Sequence, residues 1–430
     1  MLFLCIALAM AVLSACDDST SANGSTTSSP NSASENAYPE SFKPNDKEYP
    51  YANIPRIVIY TENKQKIKDR ETEIPAKLQI WGKKEAESEI MDLTIRGRGN
   101  SSWEMPKKSY KIEFAKKQSM LGMPKDKDWA LIANYADKSL MRNYIAYRLS
   151  AALGAYYAPR CEFAEFYLNG EYLGVYLVTE TIKISENRVN IPKDDNSYIV
   201  EVDGKYNENE QVVFSDEITN NGIGKAFRVH YPPNAEKTTL KTIQNHIETF
   251  ESFLKSIKTG ENVGLDEWID LNEFVKHYWV QEFAKNPDAN FYTSVYFVWT
   301  KDGQIKIGPV WDFDLAFGNH PNDELNFFEE WRIRLDYWYK ALFRSKMFSE
   351  RINLFWKENY DMFTSFLDSI DTYQMKLNKS ALNNFKRWNI LPKTKSYWEI
   401  KAFDSYENAV DDLKTWIEER VQWIDEQERK

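Results

Sequence analysis

Residues 286–314 read NPDANFYTSVYFVWTKDGQIKIGPVWDFD. The runs SVYFVWT and QIKIGPV are β-rich, and the Asp302-Gly303 pair between them is a turn, so the segment predicts an antiparallel β-hairpin. In such a hairpin the start of the first strand lies beside the end of the second. Asp288, just before the first strand, is therefore expected beside Asp312 and Asp314, just after the second. Asn286 and Asn290 flank Asp288 and add amide oxygens to the cluster. A set of oxygen donors suits Mg²⁺ or Mn²⁺.

The surroundings of the two later aspartates sharpen the expectation. Val310, Trp311, Phe313, Leu315, Ala316 and Phe317 enclose Asp312 and Asp314. An ionised carboxylate in apolar surroundings costs several kcal/mol unless it is paired, hydrogen-bonded or bound to a metal. An extended backbone would put Asp312 and Asp314 on one side and Phe313 and Leu315 on the other. A bound cation is one reading; turn or cap aspartates satisfied by backbone amides is the other.

Working outward, residues 54–115 contain short β-rich runs: IPRIVIY, AKLQIW, MDLTIRG and KSYKIEF. A helix is predicted over Lys138–Leu153, with Gly154 as its C-terminal cap. Asn169-Gly170 separates two further strand-like runs and predicts a second hairpin. After about residue 240 the apolar period is helical, ending in a stretch where Val410, Leu413, Trp416, Ile417 and Ile424 share one face. The expected fold is α+β, with a β-rich half over about 45–200 and a mainly helical half, carrying the inserted hairpin, over about 201–430. A body of this size suggests two lobes sharing a cleft.

The N-terminal MLFLCIALAMAVLSAC is a charge-free apolar run with the length of a signal-peptide core. Leu13-Ser14-Ala15-Cys16 resembles a bacterial lipobox, which predicts a signal peptide over 1–15 and a lipid on Cys16. Residues 16–44 are rich in Ser, Thr, Asn and Ala and read as a polar tether. The protein is thus expected in the cell envelope, anchored to a membrane. Processing leaves Cys161 alone, so neither an intrachain disulfide nor a cysteine zinc site is expected. His230, His246, His277 and His320 show no paired ligand spacing, which leaves oxygen ligands for any metal. A formal net charge of −10 argues against a nucleic-acid partner.

Six segments in order, RGRGNSSW (96–103), KKSYKIEF (107–114), LIANYADKSLMRNYIAY (131–147), LNGEYLGVYLVTE (168–180), NPDAN (286–290) and GPVWDFDLAFGN (308–319), resemble the spore-coat protein H (CotH) family of atypical kinases. The resemblance implies a bilobal kinase-like fold with ATP between the lobes and Mg²⁺ or Mn²⁺ on its phosphates. It makes Asp288 the catalytic aspartate and Asp312 the best match to the metal-binding one, with Asp314 either sharing the ion or stabilising the loop; Asn290, flanking Asp288, joins the expected metal ligands as an amide oxygen. Gly97 and Gly99 permit close approach of a phosphate, and Arg98, Lys108 and Lys111 are the expected basic contacts. Arg142 and Asn143 are expected at the phosphates or the metal loop, and Glu180 near the adenine hinge. The helix over 138–153 has no Glu or Asp, so the usual lysine–glutamate pairing of kinases is not expected. The implied activity is transfer of the ATP γ-phosphoryl group to Ser or Thr of a surface or secreted protein. A non-catalytic nucleotide-binding or structural envelope protein and a carbohydrate-binding protein, the last suggested by 14 Trp and 25 Tyr, are the competing classes. An exposed aromatic platform favours the sugar reading, and a basic wall facing the acids favours the kinase.

Overall fold

Seven strands close into a barrel in the computed structural model: β1 (Arg56–Thr61), β2 (Ile74–Trp81), β3 (Met91–Arg98), β4 (Ser109–Gln118), β5 (Asp126–Ile132), β6 (Cys161–Leu168) and β7 (Glu171–Glu180). Their order is β1-β2-β3-β4-β5-β7-β6, and a parallel pairing of β1 with β6 completes the ring. Strand alternation explains it: Ile57, Leu78, Ile95, Ile112, Trp129, Phe166 and Val178 fill the interior. The same alternation sends Arg96, Arg98 and Lys111 outward. Asn169 and Gly170, with φ of 55° and 88°, form the β6–β7 turn, where positive φ suits Asn and Gly.

The structure describes residues 37–220, 222–394 and 396–429. Met1–Ala37 and Tyr38–Lys430 are separate units, and the second carries the fold. The signal peptide, Cys16 and the tether up to residue 36 lie outside the described residues. The expected tether ran to residue 44, yet Phe42 is buried with Val58, Tyr167 and Tyr172, so 38–44 belong to the folded body. One aromatic side chain on the barrel outweighs the polar composition around it.

Between β3 and β4 lies a single helical turn, α1 (Ser101–Glu104), and between β5 and β6 lies α2 (Arg142–Ala152). The second starts four residues later than expected. Asp137 accepts from the Ser139 N–H and hydroxyl and from the Arg142 N–H, so 137–139 make a turn that caps the helix.

A second sheet corrects the reading of the hairpin. Strands β8 (Ser197–Val202), β9 (Val212–Asn220), β10 (Ile223–Tyr231), β11 (Val295–Thr300) and β12 (Lys306–Ile307) run in the order β12-β11-β8-β10-β9. The hairpin is therefore the end of a five-stranded sheet, and the division at residue 200 falls inside β8. Sequence separation hid the pairing of β8 with β11, which are antiparallel neighbours from Ser197↔Thr300 to Val202↔Val295. The apolar face of this sheet, with Val200, Phe227 and Phe297, packs on α3 (Lys237–Ser256) and α5 (Tyr337–Leu342) through Phe250 and Trp338. Its other face carries Glu201, Asp203, Arg228 and His230. The remaining helices are α4 (Leu271–Phe283), α6 (Lys346–Arg387) and α7 (Tyr406–Glu428). The predicted apolar face of α7 is buried as expected. Among the described residues no helix is long and apolar enough to cross a membrane.

Candidate functional site

The end of α4 and the end of the hairpin meet as predicted. Asn286 is the latch: its side-chain N–H groups donate to Gln281 Oε1 and to the Asp312 carbonyl, both at 3.0 Å. Its Oδ1 accepts the Asp288 N–H at 3.2 Å. Asn286 thus joins the two aspartate loops and is not the free amide ligand that was expected. Both of its ends are committed to holding the backbone.

The 308–319 loop is not extended. Asp312 has φ of 63°, in the left-handed region that side chains occupy at a cost of about 1 kcal/mol. Asp312 and Asp314 nevertheless stand close enough for each to act on the other's ionisation. Their pairing arises from a turn, with the Ala316 N–H donating to the Phe313 carbonyl at 3.1 Å, and not from strand alternation. Asn143 Oδ1 accepts the Phe313 N–H at 2.8 Å, while Asn319 donates to the Asp314 and Ala136 carbonyls.

Electrostatics bind the three acids into one site. Burial, and then the charge of Asp312, pushes Asp288 up to about 7. Burial also raises Asp312, against the opposing pull of Arg98 and the hydrogen bond from Asp314. Asp314 is raised well above the carboxylate range by burial and by the charges of Asp312 and Asp288. Carboxylates set against one another in this way resist ionising together, and a divalent cation would relieve the repulsion.

A cation is tested by the atoms around this pair. Asn290 Oδ1 is buried without a hydrogen-bond partner, an orphaned oxygen beside Asp288. Asp312, Asp314 and this amide are all oxygen donors, the donor chemistry that suits Mg²⁺ or Mn²⁺. No three His, Cys, Asp or Glu side chains converge at ligand distance among the described residues. An ion held there would rest on at most two carboxylates and would need phosphate oxygens, water or an amide to complete its shell, the usual pattern for Mg²⁺.

Of the basic residues expected at the phosphates, Arg98 reaches the site. Its guanidinium lies 4.8 Å from the Trp311 ring centre and acts on the Asp312 charge. The others do not. Lys108 donates to the Trp103 carbonyl and lies over the Trp103 ring, closing the α1 turn. Lys111 pairs with Asp128 at 2.8 Å, in a barrel-wall network with Lys183, Asp126 and Arg188. Arg142 is buried, paired with Asp137 at 2.6 Å, and donates to the Ala316 carbonyl at 3.1 Å. It braces the aspartate loop and has no free surface for a ligand. Glu180 is buried against Arg160 and the Tyr157 hydroxyl, so its carboxylate is likewise committed.

Two neighbours had no sequence signal. Lys205 comes from the polar loop after β8, and its charge acts on Asp288 and Asp312. Glu201, on the polar face of the second sheet, opposes ionisation of Asp312 while holding His230 at 2.6 Å. Only the β8–β11 pairing brings them there. A cavity of about 840 Å³ beside the barrel, near Ile90, Leu121 and Phe163, has none of the three acids in its lining. The candidate chemistry is assigned to the acid cluster, where Asp288, Asp312 and Asp314 act on one another's charges.

Barrel, second sheet and acids define an α+β protein with an oxygen-donor site next to an arginine-bearing barrel wall. Residues 95–424, most of the chain, match the family described as CotH kinase protein, and the chain belongs to that family. It is a kinase-like protein, for which ATP and a divalent metal are the general expectation. No curated protein matches it.

Proposed function

We propose that the protein is an atypical kinase that transfers the ATP γ-phosphoryl group to Ser or Thr of a surface or secreted protein. The observation that carries this reading is the cluster of Asp288, Asp312, Asp314 and the orphaned Asn290 oxygen opposite Arg98. Separate apolar cores in the barrel and beneath the second sheet support a two-lobed arrangement of the kinase kind.

In this mechanism Asp288 receives the proton of the acceptor hydroxyl, and its raised proton affinity suits a base working near neutral pH. Arg98 balances anionic charge on the barrel side. Asp312 and Asp314, with Asn290, would hold Mg²⁺ or Mn²⁺, and the ion would supply neutralisation of phosphate charge. Asn286, Arg142 and Asn143 keep the two loops in register. Lipidation of Cys16 and display in the cell envelope complete the proposal, motivated by Leu13-Ser14-Ala15-Cys16.

The direct test is incubation of the soluble body with γ-labelled ATP, Mg²⁺ or Mn²⁺ and envelope extract. Label transferred to protein supports the reading, and an extract left unlabelled under both metals refutes it.

A further inference from the structure

Among the described residues eleven large apolar side chains are exposed, and three of them, Tyr206 (40 %), Phe214 (49 %) and Tyr292 (49 %), sit on segments linked in turn to the Asp288 loop. Single exposed apolar residues are ordinary, whereas a cluster of them marks a contact surface. The cluster is tied to the site through backbone. The Tyr292 N–H donates to the Asp288 carbonyl at 3.2 Å, and the Tyr292 carbonyl accepts the Gly204 N–H at 3.1 Å. A Cβ at Gly204 would stand 3.2 Å from that carbonyl, so glycine permits the approach that brings Lys205 and Tyr206 to Asp288. Phe214, on β9, meets Tyr206 edge to face, with centroids 5.6 Å apart and planes at 75°. Val213 beside it is buried on the opposite face of the sheet.

Resting on the kinase reading above, we propose that Tyr206, Phe214 and Tyr292 form the acceptor subsite and hold an aliphatic or aromatic side chain of a polypeptide next to the target Ser or Thr. In phosphoryl transfer the attacking and leaving oxygens lie roughly in line on opposite sides of phosphorus. Arg98 reaches Asp312 from the barrel, whereas the 204–206 loop reaches the Asp288 loop from the second sheet, and the acceptor is assigned to that second side. Rings set edge to face make a corner that a compact side chain fills, and Phe214 has no polar tip for a sugar hydroxyl. Lys205 is exposed, lies 5.5 Å from the Tyr292 ring centre and makes no ion pair among the described residues. Its charge complements a carboxylate on the same polypeptide.

The test is a library of peptides with one central serine and randomised flanks, given to the full chain with Mg²⁺ and γ-labelled ATP. Peptides with Leu, Ile or Phe beside the serine should be labelled about tenfold better than their Gly counterparts, and those with Asp or Glu nearby better than those with Lys. Phe214→Ala and Tyr206→Ala should erase the apolar preference, Phe214→Leu should keep most of it, and Lys205→Ala should erase the acidic one. The Phe214 and Tyr206 variants should keep the rise in melting temperature with Mg-ATP. Labelling indifferent to flanks and unchanged in the variants overturns the subsite and leaves the kinase reading standing. Absence of both phosphotransfer and the Mg-ATP melting shift overturns the kinase reading, and direct binding of the same peptides by fluorescence anisotropy then decides the subsite: binding that needs Phe214 supports it, and absence of binding overturns it. Labelling or binding of an oligosaccharide that Phe214→Ala abolishes overturns the polypeptide assignment.

Discussion

Asp288 and Asp312 do separable work, and single substitutions resolve them. Asp288→Asn keeps shape and the N–H bond to Asn286 while removing the base, so phosphotransfer should fall by about 10²-fold or more with Mg-ATP affinity little changed. The measurement is single-turnover kinetics beside nucleotide titration, and full activity in Asp288→Asn refutes the assignment. Asp312→Asn removes a metal ligand instead. A ligand that binds only the folded state stabilises it by about 2.7 kcal/mol at a hundredfold excess over its Kd. Thermal melts should therefore rise with Mg-ATP in wild type and in Asp288→Asn, and rise much less in Asp312→Asn. ATP without a cation should shift none of them, because the acidic cluster repels its phosphates.

At the scale of elements, the loop that follows the aspartates is held by one buried ion pair. Glu282, at the end of α4, accepts the N–H groups of Arg332, Ile333 and Arg334 at 2.7–3.0 Å. It also pairs with Arg420 of α7 at 2.9 Å, with both side chains fully buried. Arg420 donates in turn to the carbonyls of Phe328 and Glu330. The pair thus connects α4, α7 and the connection from the acid cluster to α5. Glu282→Gln leaves a buried guanidinium without its counter-charge, and should cost about 3–5 kcal/mol of stability. Urea unfolding of the two proteins measures it; a loss below about 1 kcal/mol would show that the pair is dispensable.

Over the whole molecule, acid should act first through the barrel wall. Burial raises Asp128, but hydrogen bonds and charges from Lys111 and Lys183 outweigh it and hold the group at about 2. A carboxylate depressed in the folded state contributes stability above its ordinary pKa and loses that contribution as pH falls through the folded value. The window here is from about 4 down to about 2. Denaturant midpoints of wild type should fall across it more steeply than those of Asp128→Asn, which starts lower and lacks this titration. Parallel curves refute the role given to the network. Localisation belongs to the same scale: replacing Cys16 with Ser should release the protein from the membrane fraction, as cell fractionation would show, and retention of Cys16→Ser there refutes the anchor.

The sequence by itself determined what depends on nearest neighbours along the chain. The Asn169-Gly170 turn, the apolar face of α7 and the approach of Asp288 to Asp312 are consequences of local geometry: turn residues accept positive φ, periods of 3.6 align faces, and a hairpin returns to its start. Segment order was enough to recognise the family. Tertiary structure alone decided which charged side chains remain free. Lys108, Lys111, Arg142 and Glu180 look like ligand contacts as residue types, but each is committed to a carbonyl or counter-charge brought from elsewhere in the chain or by a local turn. Buried polar groups must find such partners, and a one-dimensional pattern does not state who they are. Arg98 stayed available to Asp312, while Lys205, Glu201 and the exposed rings arrive through pairing between β8 and β11, strands about 90 residues apart. Long-range pairing is set by the best total burial of both partners, so it was decided by the assembled fold.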